Sequence, residues 1–483
     1  MQVNVRESSR ALRSSVPRCC FHVFLCLLSL FAASAFPSTV LAQERRPRRP
    51  QPEQAPAPEP TPAPPAEEKP VEKDRWFAIL NGTVHTVSGP VLDGATVLCR
   101  NGRIFEIGRN LTLPEECETI DAAGHHVYPG LIAVRSQGIH GGGSPEDGTD
   151  VFSFNMSLAL AAGITTAVTG DTAAKLTYGT LEGMIVKRGL FESISYNSRD
   201  PAGKRRLREG LDRVRQHLRD VAAHEEEKRR NPEAKAPDDK WIRGPYATYL
   251  RLLKSEAVAL VDANDAHEIF DYCELAETYG IRMVVRGAYE AWTVAPSLSR
   301  AGMAAIITPR QRVDENPQLN RPTGSTIENA RILHEHGIRI AITPAGSLFG
   351  PGYGISLGGL AGRDLLHLAL EAAFAVRGGL SNADAVKTVT IDAARVLGID
   401  SRVGSIETGK DADFVITDGD LLHYMTLARW TVVNGRVAYD KEKEGIYSHI
   451  RPGGDANAPP PDDYWPRRLG VEWRRDREKP AQP

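Results

Sequence analysis

Short runs of alternating apolar and polar residues stand near both ends of the central part of the chain. Asn-Gly pairs interrupt them at 81–82 and 101–102, and another follows at 434–435. Asn-Gly between alternating runs is typical of tight β-hairpin turns. The pattern predicts the strands Phe77–Leu80, Thr96–Cys99, Ile104–Ile107, Phe414–Thr417, Trp430–Val433 and Arg436–Tyr439.

Between these ends, short apolar runs alternate with stretches of helical periodicity. Such alternation is what a parallel barrel of strands and helices needs. The predicted strands are Gly163–Val168, Ala257–Val261, Arg282–Val285, Ala304–Ile307 and Ile338–Ile342. The clearest predicted helices are His267–Tyr279 and Thr326–His336.

A densely charged segment at about 190–244 interrupts this alternation. Its leucines at 207, 211 and 218 and valines at 214 and 221 recur about every 3.5 residues, which predicts a long amphipathic helix. The charged face is either an ordinary solvated surface or part of a lid or partner-binding helix over the barrel. The sequence does not separate these two interpretations.

The two ends of the chain differ in composition from the centre. Residues 1–42 combine early arginines with the apolar run Phe21–Phe36 and small residues before Gln43, which predicts a signal peptide and a periplasmic or extracellular location. The run is shorter than the roughly 20 residues of a membrane span, so a retained anchor is the less favoured alternative. Residues 43–73 predict a Pro-rich linker through which the protein could associate with the cell envelope, and 443–483 predict a Pro/Arg-rich tail.

Composition adds few constraints. The chain has 483 residues, of which 41% are hydrophobic and 25% charged, enough to bury a full core. Its 59 basic and 61 acidic residues leave a net charge of -2, so no global basic field predicts a nucleic-acid partner. No feature of the sequence indicates an oligomeric state.

Several motifs identify a family. They are Asn81-Gly82-Thr83-Val84, Asn101-Gly102-Arg103-Ile104, Ala161 to Ala167, Gly379-Leu380-Ser381, Thr390 to Gly398 and Val403 to Val415. In this order and spacing, the chain resembles the imidazolonepropionase-like branch of the amidohydrolase superfamily from about Asp74 to about Asp440. The family hydrolyses carbon–nitrogen bonds other than peptide bonds and usually binds zinc or a similar divalent metal.

The resemblance implies an α/β fold: a (β/α)8 TIM-like barrel with a small composite β-sandwich formed by the two ends of the folded region. The implied parts are a sandwich made of 74–128 plus 400–442, and a barrel at 129–399 that carries the charged insertion at about 190–244.

The first metal-binding motif of the family is altered in this chain. The family reads Pro-Gly-Leu-Ile-Asp-x-His-x-His where this sequence, from Pro129 onward, has Ala133, Arg135 and Gln137 at the ligand positions. Arginine stays protonated and repels a divalent cation, and glutamine is a weak substitute for imidazole on a transition metal.

The other aligned ligand positions are altered too. Asp262 and Gly287 stand where the resemblance implies histidines, and Thr343-Pro344 stand where it implies Thr-Asp. Asp262 is the one substitute that binds metals well, whereas a catalytic zinc needs about three protein ligands. We therefore predict no resident metal. One other group that could rebuild a metal site is His140 with Asp147 and Asp150.

Two arrangements could replace the metal. In the first, Arg135 and Asp262 form a partly buried ion pair, with Gln137 and Thr343 hydrogen-bonding around it. In the second, Arg135 and Arg286 bind a small anionic molecule at the barrel mouth, because guanidinium groups suit carboxylate or phosphate.

Three functions stay open on the sequence alone, so whether the protein is an enzyme is uncertain. The first is an exported, non-catalytic binding or scaffold homologue. The second is an active C–N hydrolase of cyclic amides with a rebuilt metal site. The third is a metal-free enzyme that uses Asp262 as base and Arg135 or Arg286 as electrostatic stabiliser.

Overall fold

The structure, a computed structural model, describes residues 74–141, 144–196, 199–344 and 365–444. The predicted signal peptide at 1–42, the linker at 43–73 and all but the first two residues of the tail at 443–483 lie outside these ranges. Among the described residues, no helix combines the length and the apolar character needed to cross a bilayer.

The two ends of the described chain form one eight-stranded sheet. Its strands are β1 (Trp76–His85), β2 (Val91–Arg100), β3 (Arg103–Gly108), β4 (Glu118–Asp121), β5 (His126–Pro129), β15 (Phe414–Thr417), β16 (Ala428–Val433) and β17 (Arg436–Asp440). They are ordered β17-β16-β15-β5-β1-β2-β3, with β4 beside β1. The antiparallel pair β5–β15 joins the two chain ends, which gives the composite β domain that the sequence predicts.

Alternation along these strands buries one face. Phe77 and Ile79 of β1 pack with Val97, Phe414 and Val432 in a separate apolar cluster. The Asn-Gly turns at 101–102 and 434–435 join hairpin strands as predicted. The turn predicted at 81–82 is wrong: β1 runs unbroken through it. Asn81 adopts a left-handed conformation (φ 59) at the first of two register shifts against β2, as at a β-bulge.

The middle of the chain supplies two further sheets. Their strands are β6 (Leu131–Ala133), β7 (Ile164–Thr169), β8 (Thr172–Lys175), β9 (Ile185–Lys187), β10 (Glu192–Ser193), β11 (Ala259–Ala263), β12 (Met283–Gly287), β13 (Ala304–Ile307) and β14 (Ile340–Ile342). One sheet is β10-β11-β12-β13-β14, all parallel, and the other is β6-β7-β8-β9. β6 and β7 are parallel, and β8 and β9 extend them as antiparallel strands that the sequence analysis did not predict.

Helices cover the outside of these two sheets. Those among the described residues are α1 (Pro145–Gly148), α2 (Phe154–Ala161), α3 (Pro201–Arg230), α4 (Pro245–Leu253), α5 (Ala266–Tyr279), α6 (Ala295–Arg300), α7 (Asn329–Glu335), α8 (Leu368–Arg377), α9 (Asn382–Thr388) and α10 (Ile391–Leu397). The prediction of α5 is confirmed. Asp265 caps it by accepting from the backbone N–H groups of His267 and Glu268, and Gly280 ends it at φ 66.

Both sheets contribute to one interior. Alternate residues of their strands form a single cluster with α10: Ile132, Val168, Val284, Ile306 and Ala341. The residues between them, such as Leu131, Val285 and Ile342, pack in the larger cluster that contains the outer helices. The two sheets therefore wall a common interior, with helices outside, as a barrel of the predicted class requires.

The charged insertion forms the long helix α3, as predicted. Asp200 caps it by accepting from the N–H of Gly203, and Leu207, Leu211 and Val214 are buried along one face. Lys204 of α3 forms an ion pair with Asp271 of α5, at 2.5 Å. This contact packs α3 against the outer helical layer, which favours the solvated-face interpretation over a lid.

Candidate functional site at the barrel mouth

Two of the predicted site residues lie side by side where barrel strands end. Asp262 near the end of β11 and Arg286 near the end of β12 are direct partners in the parallel register. Side chains alternate between the faces of a strand, so both follow the inner-face residues Leu260 and Val284. Catalysis in barrels of this kind is built at the carboxyl ends of the strands, which we call the barrel mouth.

Arg286 holds Asp262 with a two-pronged contact. Its Nε lies 2.6 Å from Oδ1 of Asp262, and its second terminal nitrogen lies 2.7 Å from Oδ2. This is the fork geometry in which guanidinium binds carboxylate most specifically. The predicted partnership of Asp262 with Arg135 is therefore wrong. Neighbouring strands in register place Arg286 beside Asp262, whereas Arg135 follows β6 in the other sheet.

Exposure limits what this ion pair contributes to stability. The Asp262 side chain is 67% exposed and that of Arg286 is 29% exposed. Pairs this accessible to water typically stabilise a protein by about 0–1 kcal/mol, well below the 3–5 kcal/mol lost when a buried pair is broken. The pair therefore fixes the orientation of both groups more than it stabilises the fold.

The remaining predicted residues do not join this pair. Arg135 and Gln137 are exposed after β6, and neither forms a hydrogen bond or ion pair with any residue in the described ranges. Thr343 follows β14, and its backbone N–H donates to the carbonyl of Ile307. Its hydroxyl is buried without a partner in the described part of the chain. The predicted hydrogen-bonded ring of Gln137 and Thr343 around Asp262 is wrong.

The donors at the mouth that belong to described residues do not fit a catalytic metal. Both oxygens of Asp262 are bound by Arg286, and Ala133, Gly287 and Pro344 have no side-chain donor. Across the described ranges, no three His, Cys, Asp or Glu side chains are grouped so that they could hold a metal ion.

His140, Asp147 and Asp150, the predicted alternative metal ligands, are not grouped as a metal site either. His140 is buried, and its Nε2 lies 3.1 Å from the carbonyl oxygen of Lys175. Burial lowers the pKa of its imidazole, although the contact with that carbonyl opposes the shift. Asp150 accepts a hydrogen bond from the backbone of Phe152. These contacts belong to local structure and do not assemble a site.

The sequence analysis missed a buried cluster of charges. Lys175 at the end of β8 is 0% exposed, and its Nζ lies 2.7 Å from Asp411 and 3.0 Å from Asp413. Asn434 accepts from the same nitrogen at 2.5 Å. The available signal was a lysine inside the apolar stretch Thr172 to Leu176. The cluster ties the barrel to the composite domain.

The two carboxylates of this cluster have opposite pKa shifts. Burial raises the pKa of Asp413, and the Lys175 ammonium only partly offsets this. Burial also acts on Asp411, but the nearby charges of Lys175 and Arg402 outweigh it and lower the pKa. The lysine charge is thus shared unequally, with Asp411 the more firmly ionised partner.

Parts of the sequence are similar to known proteins. The amidohydrolase family model matches residues 290–450. Over 72 residues the chain is 39% identical to a 5-methylthioadenosine/S-adenosylhomocysteine deaminase of Symbiobacterium thermophilum, a match covering 12% of this chain and 16% of the deaminase. The matched part is thus a small fraction of that enzyme's length.

One solved structure shows the same architecture. An amidohydrolase from Thermotoga maritima MSB8 superposes with a TM-score of 0.57 at 20% identity, over 76% of this chain and 100% of that chain. A dihydropyrimidinase from Brevibacillus agri NCHU1002 has a TM-score of 0.46 at 15% identity, over 76% and 95% of the two chains. The Thermotoga likeness, with two sheets around one interior, confirms the predicted (β/α)8 barrel with a composite β domain. The chain is thus similar to the amidohydrolase family over residues 290–450, and its fold resembles that of the Thermotoga amidohydrolase.

Proposed function

We propose that this protein is a non-hydrolytic amidohydrolase homologue that acts by binding and not by cleaving carbon–nitrogen bonds. The observation that supports this most is the fork of Arg286 on Asp262 at the barrel mouth. The family hydrolyses its substrates with metal-bound water, and here the one good substitute ligand is engaged by a guanidinium group.

The same contact argues against metal-free catalysis by Asp262. A general base needs a free oxygen within reach of the proton that it abstracts. Both oxygens of Asp262 accept from Arg286, which makes the carboxylate a poor proton acceptor until the pair opens. Arg286 is likewise engaged, so it is not free to stabilise a developing negative charge.

A binding role leaves Arg135 as the candidate recognition group. Its side chain is exposed and has no carboxylate partner in the described ranges, so a small anionic molecule is the ligand that its charge favours. Arg286 contributes less than the sequence suggested, because its charge is already compensated by Asp262.

Metal analysis tests the proposed function directly. We expect protein purified without chelators to carry well under one zinc, manganese or iron per chain, because the mouth offers too few ligands. Chelators should leave its melting temperature unchanged, since metal binding is not coupled to its folding. Elemental analysis and thermal unfolding with and without chelator would measure both.

An Asp262→Asn variant sharpens this test, with Asp314→Asn on the exposed surface as its control. Neither substitution should change the metal content. Stoichiometric metal that disappears only in Asp262→Asn would reverse the proposal, because it would mean a metal site rebuilt around that carboxylate. Stoichiometric metal in all three proteins, with hydrolysis of cyclic amides, would support the active-hydrolase alternative.

We also propose that the protein is exported, on the charge and apolar pattern of residues 1–42. Expressed with residues 1–42 in place, it should be recovered outside the cytoplasm with a first residue near Gln43. Intact-mass measurement of the recovered chain checks this. A mass that still includes Phe21–Phe36 would contradict cleavage and favour a retained anchor.

A further inference from the structure

A polar cavity lies away from the barrel mouth, between the composite sheet and the β8–β9 segment of the barrel. Its volume is about 210 Å³. The charged residues that line it, among those described, are Glu182 and four arginines: Arg75, Arg103, Arg402 and Arg436. The lining is therefore strongly biased towards positive charge. Roughly seven water molecules would occupy such a volume at the density of the liquid.

Two Asn-Gly turns build one wall of this cavity. Gly102 adopts φ 79, and a β-carbon there would lie 2.9 Å from the carbonyl oxygen of Asn434. This close approach requires glycine, so the β2–β3 and β16–β17 turns are held against each other. Arg75 donates to the carbonyls of Asn434, at 2.7 Å, and Gly435, at 3.3 Å.

Arg75 has no carboxylate within ion-pair distance among the described residues, in contrast to Arg402. Its guanidinium instead donates to two main-chain carbonyls. Burial lowers the pKa of its guanidinium and repulsion from Arg436 lowers it further, although attraction to Glu182 and Glu118 opposes part of the shift. Two arginines that repel each other across one cavity are unfavourable until an anion separates them.

The rim supplies two more cations that are only partly compensated. Arg436 lies 3.1 Å from Glu182, whose side chain is 75% exposed. Arg103 lies 4.0 Å from Asp411, a carboxylate that Lys175 and Arg402 already bind at 2.7 Å each. Exposed or shared carboxylates neutralise such charges weakly. Positive charge is thus in excess around the cavity.

From this arrangement we infer that the cavity binds a small dianion of the phosphate class on Arg75, Arg103 and Arg436. Guanidinium groups present several donors in a fixed plane, and three of them around one space suit a tetrahedral dianion better than a planar monoanion. The inference does not depend on the proposed function, because none of these residues belongs to the barrel mouth.

Titration calorimetry with inorganic phosphate, at ionic strength held constant with sodium chloride, tests this inference. The wild-type chain should bind phosphate. The double variant Arg103→Gln/Arg436→Gln should bind it at least about tenfold more weakly, which corresponds to about 1.4 kcal/mol. Both side chains are exposed on the rim, at 65% and 49%, so this variant should fold normally. Arg205→Gln on the exposed surface of α3 removes the same charge outside the cavity lining, so it is the matched control and should bind like the wild type.

Three results of the phosphate titrations would overturn the inference. They are the absence of phosphate binding by the wild type, unchanged binding by the double variant, and an equal loss of binding in Arg205→Gln, which would mean a general effect of charge and not a site in the cavity. Titration with succinate in parallel shows whether the cavity prefers phosphate to a dicarboxylate. Succinate bound as tightly as phosphate would refute the phosphate class.

Discussion

Lys175→Met is expected to lower the free energy of unfolding by about 3–5 kcal/mol. The lysine is completely buried, and its ammonium bridges Asp411 and Asp413. Methionine fills a similar volume but leaves two carboxylates facing each other without the cation between them. Asp411 keeps Arg402 as a partner, whereas Asp413 keeps only the backbone N–H of Asn434.

The loss should depend on pH in a defined direction. Burial already raises the pKa of Asp413 above its ordinary 3.8, and removing Lys175 raises it further. A carboxyl whose pKa is raised in the folded state contributes stability at low pH, and this contribution is lost as pH rises through the folded pKa. The difference between wild type and variant should therefore be larger at about pH 8 than at about pH 5.

Urea unfolding followed by circular dichroism at both pH values measures this difference. Lys187→Met is the matched control: Lys187 lies on the neighbouring strand β9, is exposed, and donates to the carbonyl of Gly398. It should change the stability by no more than about 0.5 kcal/mol. A Lys175 variant as stable as the Lys187 variant at the higher pH would show that the buried cluster does not hold the two domains together.

The parts of the fold that were predictable from sequence are those where local pattern and tertiary packing agree. Helix α5 has a capping aspartate, an apolar face and a terminal glycine, and all three signals lie within the helix and its ends. The turn at Asn81-Gly82 carried the same local signal as Asn101-Gly102. At Asn81-Gly82, β1 pairs with β2 both before and after the dipeptide. This strand pairing overrides the turn preference and leaves a bulge.

The candidate site was predicted less well, because it depends on which strands are neighbours. Asp262 and Arg286 are 24 residues apart, and only the parallel register of β11 and β12 places them together. Arg135 had the same charge and a comparable position after a strand, so the sequence could not choose between two arginines. Lys175 was missed because its partners, Asp411 and Asp413, are more than 230 residues away.

Glu371→Ala is the second large effect that we expect, at about 3–5 kcal/mol of unfolding free energy. The Glu371 side chain is 0% exposed and binds Arg310, which follows β13. One carboxylate oxygen accepts from the backbone N–H of Arg310 at 2.7 Å, and the other accepts from its guanidinium Nε at 3.1 Å. Alanine removes all of these acceptors and strands a guanidinium that is largely shielded from water.

The exposed pair between Glu335 and Arg331 on α7 provides the control. Glu335→Ala also removes a carboxylate from an arginine, yet its side chain is 54% exposed, so the expected loss is within about 0.5 kcal/mol. The chemical change is the same in both variants, so the difference between their losses of unfolding free energy measures the effect of burial. Equal losses in the two variants would contradict the argument.

Glu371→Gln separates the charge of this residue from its hydrogen bonds. Burial raises the pKa of Glu371 above its ordinary 4.5, so its contribution is present at low pH and is lost as pH rises through the folded pKa. Glutamine has nearly the same shape and keeps one oxygen acceptor without the buried charge. Its disadvantage relative to wild type should therefore shrink between about pH 5 and about pH 8, in urea titrations at both values. A disadvantage of Glu371→Gln that grows with pH would mean that Arg310 fully compensates the ionised carboxylate. The ion pair between α8 and the segment after β13 would then stabilise the fold and not destabilise it.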